Sequence, residues 1–313
     1  MRVLFFGMLG SLTRRPLAAL LATGVDLCGL VLPAEMVPPF ELVDNGRSQT
    51  PITLIHPQPH IQNLLQSSQT ASPLALAASF NVPAFAVRQL AAPETIATLL
   101  ALQPDLICVS CFPHLLPPEI LQLPRLGCLN VHPSLLPRFR GPAPLFWALR
   151  AGVAQTGVTI HFMDENFDTG DVVLQQPFPL PDGITHAELE AKLAQIGAEL
   201  LVEAVQKLAL GELSRQPQPA GFTSDPWPTD ADFVLDLSWS ARRAYNFMRG
   251  TMNWERPYFI EITGRRIWLE TAVAYQPNAQ QNEIVLQQGK TLFSQFSPGI
   301  LQVVILSESS LVN

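Results

Sequence analysis

Val3-Leu4-Phe5-Phe6, then Leu17-Ala18-Ala19-Leu20-Leu21-Ala22, then Val25-Asp26-Leu27-Cys28-Gly29-Leu30-Val31-Leu32 set a continuous apolar run, a run with helical spacing, and a second apolar run in succession. Continuous apolar runs of this length suit strands that are buried on both faces, and the segment between them supplies a crossover helix. Strand, helix, strand predicts an α/β fold: a doubly wound, mostly parallel sheet with helices on both faces. The first turn reads Gly7-Met8-Leu9-Gly10, so the fingerprint G-x-G-x-x-G is absent and nothing directs NAD to this edge. A ligand at the carboxyl edge of the sheet is still expected.

Working outward, Pro73 to Phe80 and Pro93 to Leu102 read as helices, Leu106 to Ser110 as a buried strand, and Gly157 to Phe162 as a strand rich in Val, Thr and Ile. Pro33 to Ser72 is rich in Pro, Gln, Ser and Thr, with Ile52 to Ile55 its strand-like piece, and reads as a lid or recognition loop. Thr185-His186-Ala187-Glu188 has the spacing of a capping box, predicting a long helix from there to about Gly211. The proline-rich stretch 213–229 reads as a linker between a domain over 1–212 and a second over 230–313. The second opens with a helical pattern, Ser240 to Arg249. Short strands follow at Tyr258 to Ile262, Arg265 to Ala274, Glu283 to Gln287 and Leu301 to Leu306, the spacing of a small OB-like β-barrel.

The chain has 313 residues, 48% of them hydrophobic, enough for one sizeable core and a smaller one. A net charge of -7 gives no global basic field for nucleic-acid phosphates, leaving only local patches. The apolar start is too brief for a secretory signal and no stretch approaches a membrane span, so a cytoplasmic protein without a membrane partner is expected. Cys108 and Cys111 form a C-x-x-C with no second pair, and the four cysteines read as buried free thiols. His56, His60, His114, His161 and His186 lack metal-ligand spacing. Pro57 and Pro59 forbid the helix that would align the first two, so no metal is predicted.

The chemistry-bearing stretch is Asn130-Val131-His132-Pro133-Ser134-Leu135-Leu136-Pro137, continuing Arg138-Phe139-Arg140-Gly141-Pro142. In a strand, Asn130 and His132 project to one face and enter one pocket together. Asp168 lies in the polar turn Asn166-Phe167-Asp168-Thr169-Gly170-Asp171, where Asp171 reads as a turn former. An amide, an imidazole and a carboxylate suit acyl transfer. Asn130 and a protonated His132 would donate to the oxyanion, while Asp168 takes the amine proton or orients the ring. Phe146 and Trp147, in the helix expected next, read as core.

These residues resemble the formyltransferases that use 10-formyltetrahydrofolate, above all the methionyl-tRNA formyltransferases. The matching pieces are Asn130-Val131-His132, Ser134-Leu135-Leu136-Pro137, Arg140-Gly141, Thr156-Gly157-Val158-Thr159-Ile160 and Asp168-Thr169-Gly170-Asp171. Asn130 and Asp168 are 38 positions apart, the separation of the family's catalytic Asn and Asp. Leu237-Ser238-Trp239-Ser240-Ala241 and Asn246-Phe247-Met248-Arg249-Gly250 resemble the start of the family's C-terminal barrel, so the likeness covers nearly the whole chain. The resemblance implies a formyltransferase-like Rossmann domain, catalytic Asn130, His132 and Asp168, and 10-formyltetrahydrofolate as co-substrate. It further implies folate contacts, largely through backbone groups, from Cys111, Phe112, Pro113, His114, Leu115, Leu116 and Pro117. Ser134, Leu135, Leu136 and Pro137 would shape the same site.

The departures concern the acceptor. Where the family's methionyl-tRNA members carry a basic first loop, Glu35 to His60 holds Arg47 against Glu35, Glu41 and Asp44. Asn253-Trp254-Glu255-Arg256-Pro257 stands in place of Pro-Trp-Pro, and Arg242, Arg243, Arg249, Arg265 and Arg266 are the main basic candidates. Four readings follow: initiator methionyl-tRNA as acceptor, from length and layout; a nucleotide-linked amino sugar or other small amine; water, which would make a formyltetrahydrofolate hydrolase; and a non-catalytic folate-binding protein.

Overall fold

A computed structural model describes residues 1–38, 50–55, 72–222 and 224–306. Most of the loop read as a lid, with Glu41, Asp44, Arg47, His56 and His60, lies outside the described residues. The chain divides into two compact units, one of Met1–Arg140, Gly157–Phe178 and Glu190–Ser224, the other of Gly141–Thr156, Pro179–Leu189 and Asp225–Asn313.

The first unit is built on an eight-stranded sheet of β1 (Arg2–Gly7), β2 (Asp26–Pro33), β3 (Ile52–Ile55), β4 (Ala84–Val87), β5 (Leu106–Ser110), β6 (Cys128–His132), β7 (Gln155–Phe162) and β8 (Val172–Pro179). Its order is β3-β4-β2-β1-β5-β6-β7-β8. The five strands β4-β2-β1-β5-β6 are parallel, while β3 and β7 join them antiparallel, making the sheet mixed. The chain builds outward from β1 to β4, then returns to the other side of β1 with β5. The carboxyl ends of β1 and β5 therefore flank the switch point where ligands of such sheets bind. Val3 to Phe6 are completely buried, as the unbroken apolar run requires. A Cβ on Gly7 would strike the side chain of Thr13, so glycine is what lets the next helix approach the end of β1. There the Thr13 hydroxyl accepts from Met8 N and donates to Ser110 O, both at 2.9 Å.

The helices are α1 (Ser11–Ala22), α2 (Pro73–Ser79), α3 (Pro93–Ala101), α4 (Pro118–Leu121), α5 (Pro144–Ala151), α6 (His186–Leu210) and α7 (Ala241–Thr251). The capping box forms as its spacing dictates: Thr185 N donates to Glu188 Oε2 at 2.9 Å, and Glu188 N to Thr185 Oγ1 at 3.4 Å. After α6 the proline-rich stretch returns to the first unit, where Gln216 exchanges backbone hydrogen bonds of 2.8 and 2.9 Å with Val172.

The second unit holds an antiparallel sheet of β9 (Tyr258–Ile262), β10 (Arg265–Gln276), β11 (Val285–Gln288), β12 (Thr291–Gln295) and β13 (Ile300–Ile305), in the order β11-β12-β13-β10-β9. Closure of β9 on β11 into a barrel is not among the described pairings. β12 escapes a reading by periodicity because a two-residue turn, Gly289-Lys290, folds it straight back on β11. Phe146 of α5 is 2% exposed and lies 5.2 Å from Phe233 and 5.3 Å from both Phe247 and Trp254, ring centre to ring centre. It is core, as expected. Trp147 is half-buried, with its indole N–H donating to Pro226 O at 2.8 Å.

Candidate active site

β6 ends in Asn130-Val131-His132, and β7 runs antiparallel beside it with Asn130 opposite His161 and His132 opposite Thr159. Directly opposed residues share a face, so the amide and two imidazoles meet without any special loop. Asp168 is brought to them by a turn with hydrogen bonds of its own at one end. Asp164 Oδ1 accepts from Asn166 N at 3.0 Å and from the Thr169 hydroxyl at 2.6 Å. Asp168 takes φ 55°, and a Cβ on Gly170 would strike Phe162 O, so a glycine is required there.

Asp168 Oδ1 is the hub. It accepts from Asn130 Nδ2 at 3.2 Å and lies 3.5 Å from His132 Nδ1 and 3.4 Å from His161 Nε2. Each ring hands its other nitrogen to a carbonyl, His132 Nε2 to Phe139 O and His161 Nδ1 to Phe162 O, both at 2.8 Å. A carbonyl can only accept, so those nitrogens carry hydrogens, and a neutral His161 receives the second Asn130 amide hydrogen on Nε2 at 3.1 Å. Both Asn130 N–H groups are thus engaged within the cluster. Burial holds the His132 pKa below its ordinary value against the opposing pull of Asp168. The resting ring is therefore neutral near pH 7.

Ser134 does not face this cluster with a spare hydroxyl. Its Oγ donates to Arg138 O at 2.8 Å and its N to His132 O at 2.9 Å, so it shapes the turn. Leu136 N donates to the buried Thr159 Oγ1 at 3.1 Å, which pins Leu135-Leu136-Pro137 against β7. The segment Cys111 to Pro117 leaves the end of β5 at the switch point. Phe112 packs edge-on against Phe6 at 5.2 Å, His114 Nε2 meets Glu35 Oε1 at 2.9 Å, and Leu116 is buried while Leu115 is exposed. Cys111, with φ 58°, is exposed, so the reading of all four cysteines as buried thiols holds for Cys28, Cys108 and Cys128 only.

His161 is the site residue that sequence reasoning passed over. The alternation Thr159-Ile160-His161 gave its face, but the antiparallel register that sets it beside Asn130 is not written in either strand. Among the described residues no group of three His, Cys, Asp or Glu is arranged to hold a metal, and no helix is long and apolar enough to cross a membrane. Of the basic candidates, Arg242 pairs with Asp182 at 3.0 Å and Arg266 with Glu261 at 2.9 Å. Arg243 lies 4.0 Å over the Trp239 ring and donates to Arg150 O, and Arg265 is exposed.

In a mixed α/β sheet, an amide, an imidazole and a carboxylate thus converge beyond the carboxyl end of β6, an arrangement whose chemistry suits group transfer. Residues 41–205 match the family described as Formyl transferase, and the chain belongs to that family. It is 43% identical over 185 residues to a methionyl-tRNA formyltransferase of Synechococcus sp. (strain JA-3-3Ab), covering 59% of this chain and a little over half, 56%, of that protein. With a protein of the same name from Syntrophus aciditrophicus (strain SB) it shares 40% over 221 residues, 70% of each. The fold is similar to that of WlaRD, a sugar 3N-formyl transferase solved in the presence of dTDP and 5-N-formyl-THF. The TM-score is 0.64 at 13% identity, over 98% of both chains.

Proposed function

We propose that this protein moves a formyl group from 10-formyltetrahydrofolate to the amino group of initiator methionyl-tRNA, a cytoplasmic reaction of translation initiation. The observation that carries formyl transfer is the convergence of Asn130, His132 and Asp168 within 3.5 Å of one carboxylate oxygen. The acceptor rests on the names of the relatives. The amine nitrogen attacks the formyl carbon, and the carbonyl oxygen becomes an oxyanion. Asn130 turns an N–H from the cluster toward that oxygen, and His132 stabilises it once protonated. The proton released by the attacking amine passes to the Asp168–His132 pair, and collapse of the adduct returns it to the leaving nitrogen of tetrahydrofolate. In the resting cluster the bare His132 Nδ1 faces Asp168 Oδ1, an arrangement that becomes an ion pair when the proton arrives.

In this reading the folate lies along Cys111 to Pro117, which leaves the end of β5 at the switch point, and along the turn 134–137, which follows β6. The 230–313 segment, a barrel-like OB domain, helps position the acceptor. A nucleotide-linked amino sugar is the second acceptor reading. It is favoured by the pairing of Arg242 with Asp182 and of Arg266 with Glu261, which offsets part of the positive charge that tRNA phosphates would need, while both guanidiniums stay at the surface. The test is tetrahydrofolate release with charged initiator tRNA and amino-sugar nucleotides in parallel, at several salt concentrations. Turnover with the tRNA that weakens steeply with salt supports the first acceptor. Turnover with a sugar nucleotide alone transfers the reading to the second, and no turnover with any amine overturns both.

A further inference from the structure

Residues 214–222 run exposed along the first unit, with one exception: Gln218 is half-buried. Its side-chain amide is saturated. Nε2 donates to Asp168 O at 2.8 Å and to Gly170 O at 2.7 Å. Oε1 accepts from Arg140 Nε at 3.1 Å and from Arg140 Nη2 at 2.7 Å. Two carbonyls on one side and a guanidinium on the other fix which end of the amide is nitrogen and which is oxygen. Arg140 is 6% exposed and spends Nη1 on Phe222 O at 3.0 Å, so its described partners are all oxygens of neutral groups.

The two loops joined through this amide are those that hold the reacting groups. Asp168 sits in a left-handed backbone conformation that a non-glycine residue adopts at a cost of about 1 kcal/mol or more, so the turn needs external support. On the other side, Arg140 follows Phe139, itself at φ 58°, whose carbonyl anchors the His132 ring. We propose that Gln218, acting with Arg140, is a positioning pair that sets the separation of Asp168 from His132. It rests on the formyl-transfer reading of the site for its effect on rate, though not for its effect on geometry. Val172 and Gln216, bonded both ways two residues upstream, hold the strap in register so that Gln218 arrives opposite the turn.

The test uses the full-length chain and Gln218→Met, which keeps the shape and removes all four hydrogen bonds. Arg140→Met/Gln218→Met leaves no buried guanidinium without partners, and Asp168→Asn is the reference. Among the described residues the titratable groups facing His132 are Asp168 and His161, and the ring titration of His132 is read by NMR. Loss of the Asp168 charge from its place moves that titration to lower pH, fully in Asp168→Asn and in part in Gln218→Met. For turnover, Gln218→Met loses about 10- to 100-fold in kcat, with the KM for the formyl donor within about twofold, as for an angstrom-scale displacement of a reacting group. The double variant regains thermal stability but not kcat.

A wild-type His132 titration and kcat in Gln218→Met overturn the proposal. So does a double variant that regains both stability and rate, because Gln218 would then serve only to satisfy Arg140. Failure of the wild-type chain to transfer formyl to any amine would refute the functional reading, and the titrations would still decide the positioning role.

Discussion

Replacing Asp168 by Asn keeps the shape of the side chain and removes one charge 3.5 Å from His132 Nδ1, with only 11% of the carboxylate side chain exposed. Two unit charges at that distance interact by about 5 kcal/mol if the effective dielectric is near 20, an upper value for this pair. The neutral resting ring gains little from it, since burial already outweighs the carboxylate's pull. In the proposed transfer, the imidazolium formed as the amine loses its proton gains nearly all of it. The substitution therefore raises the barrier more than it weakens binding, by about 3–5 kcal/mol, or roughly 10²- to 10⁴-fold in kcat. The KM for the formyl donor should stay within about threefold. Initial rates of tetrahydrofolate release across pH 6 to 9 measure it. A rate within about fivefold of wild type at every pH would refute the argument that Asp168 holds the charge of the transition state.

Three further outcomes follow from other parts of the structure. Thr159→Val removes a buried hydroxyl that donates to Ser134 O at 2.7 Å and accepts from Leu136 N and from Gln175 Nε2 of an exposed side chain; a loss of about 2–4 kcal/mol in urea unfolding is expected, and one under about 0.5 kcal/mol would show that these groups find other partners. Phe146→Ala opens a cavity among Phe233, Phe247 and Trp254 and should cost about 3–5 kcal/mol, seen as early melting of the second unit by calorimetry. His132 has a folded pKa below its ordinary 6.5, so the unfolded chain binds its proton first as pH falls. Its contribution to stability is full above pH 6.5 and declines below it by up to about 1.4 kcal/mol per unit until the folded value is passed; His132→Gln should remove that part of the slope.

The sheet was legible because its strands announce themselves. Val3 to Phe6 and Leu106 to Ser110 are unbroken apolar runs, and the crossover helices between them have helical spacing. The strands that went unread have separate causes: Ala84–Val87 is an apolar run of only four residues, Val172–Pro179 carries Gln175, Gln176 and two prolines, and Thr291–Gln295 pairs across a two-residue turn. At the site, strand alternation alone aligned Asn130 with His132. His161 and Gln218 were invisible for a common reason. Each reaches the cluster through register or a return of the chain, and neither leaves a periodic trace. The stretch around Gln218 looked like a linker because its residues are prolines, glycines and polar groups exposed on all sides but one.

The most direct test of the account is mass analysis of the acceptor after incubation with 10-formyltetrahydrofolate. With charged initiator tRNA, the methionine released from the tRNA should carry one formyl group on its amino nitrogen, in amounts equal to the tetrahydrofolate formed. Unmodified methionine, with free formate equal to the tetrahydrofolate, would contradict the claim and identify water as the acceptor.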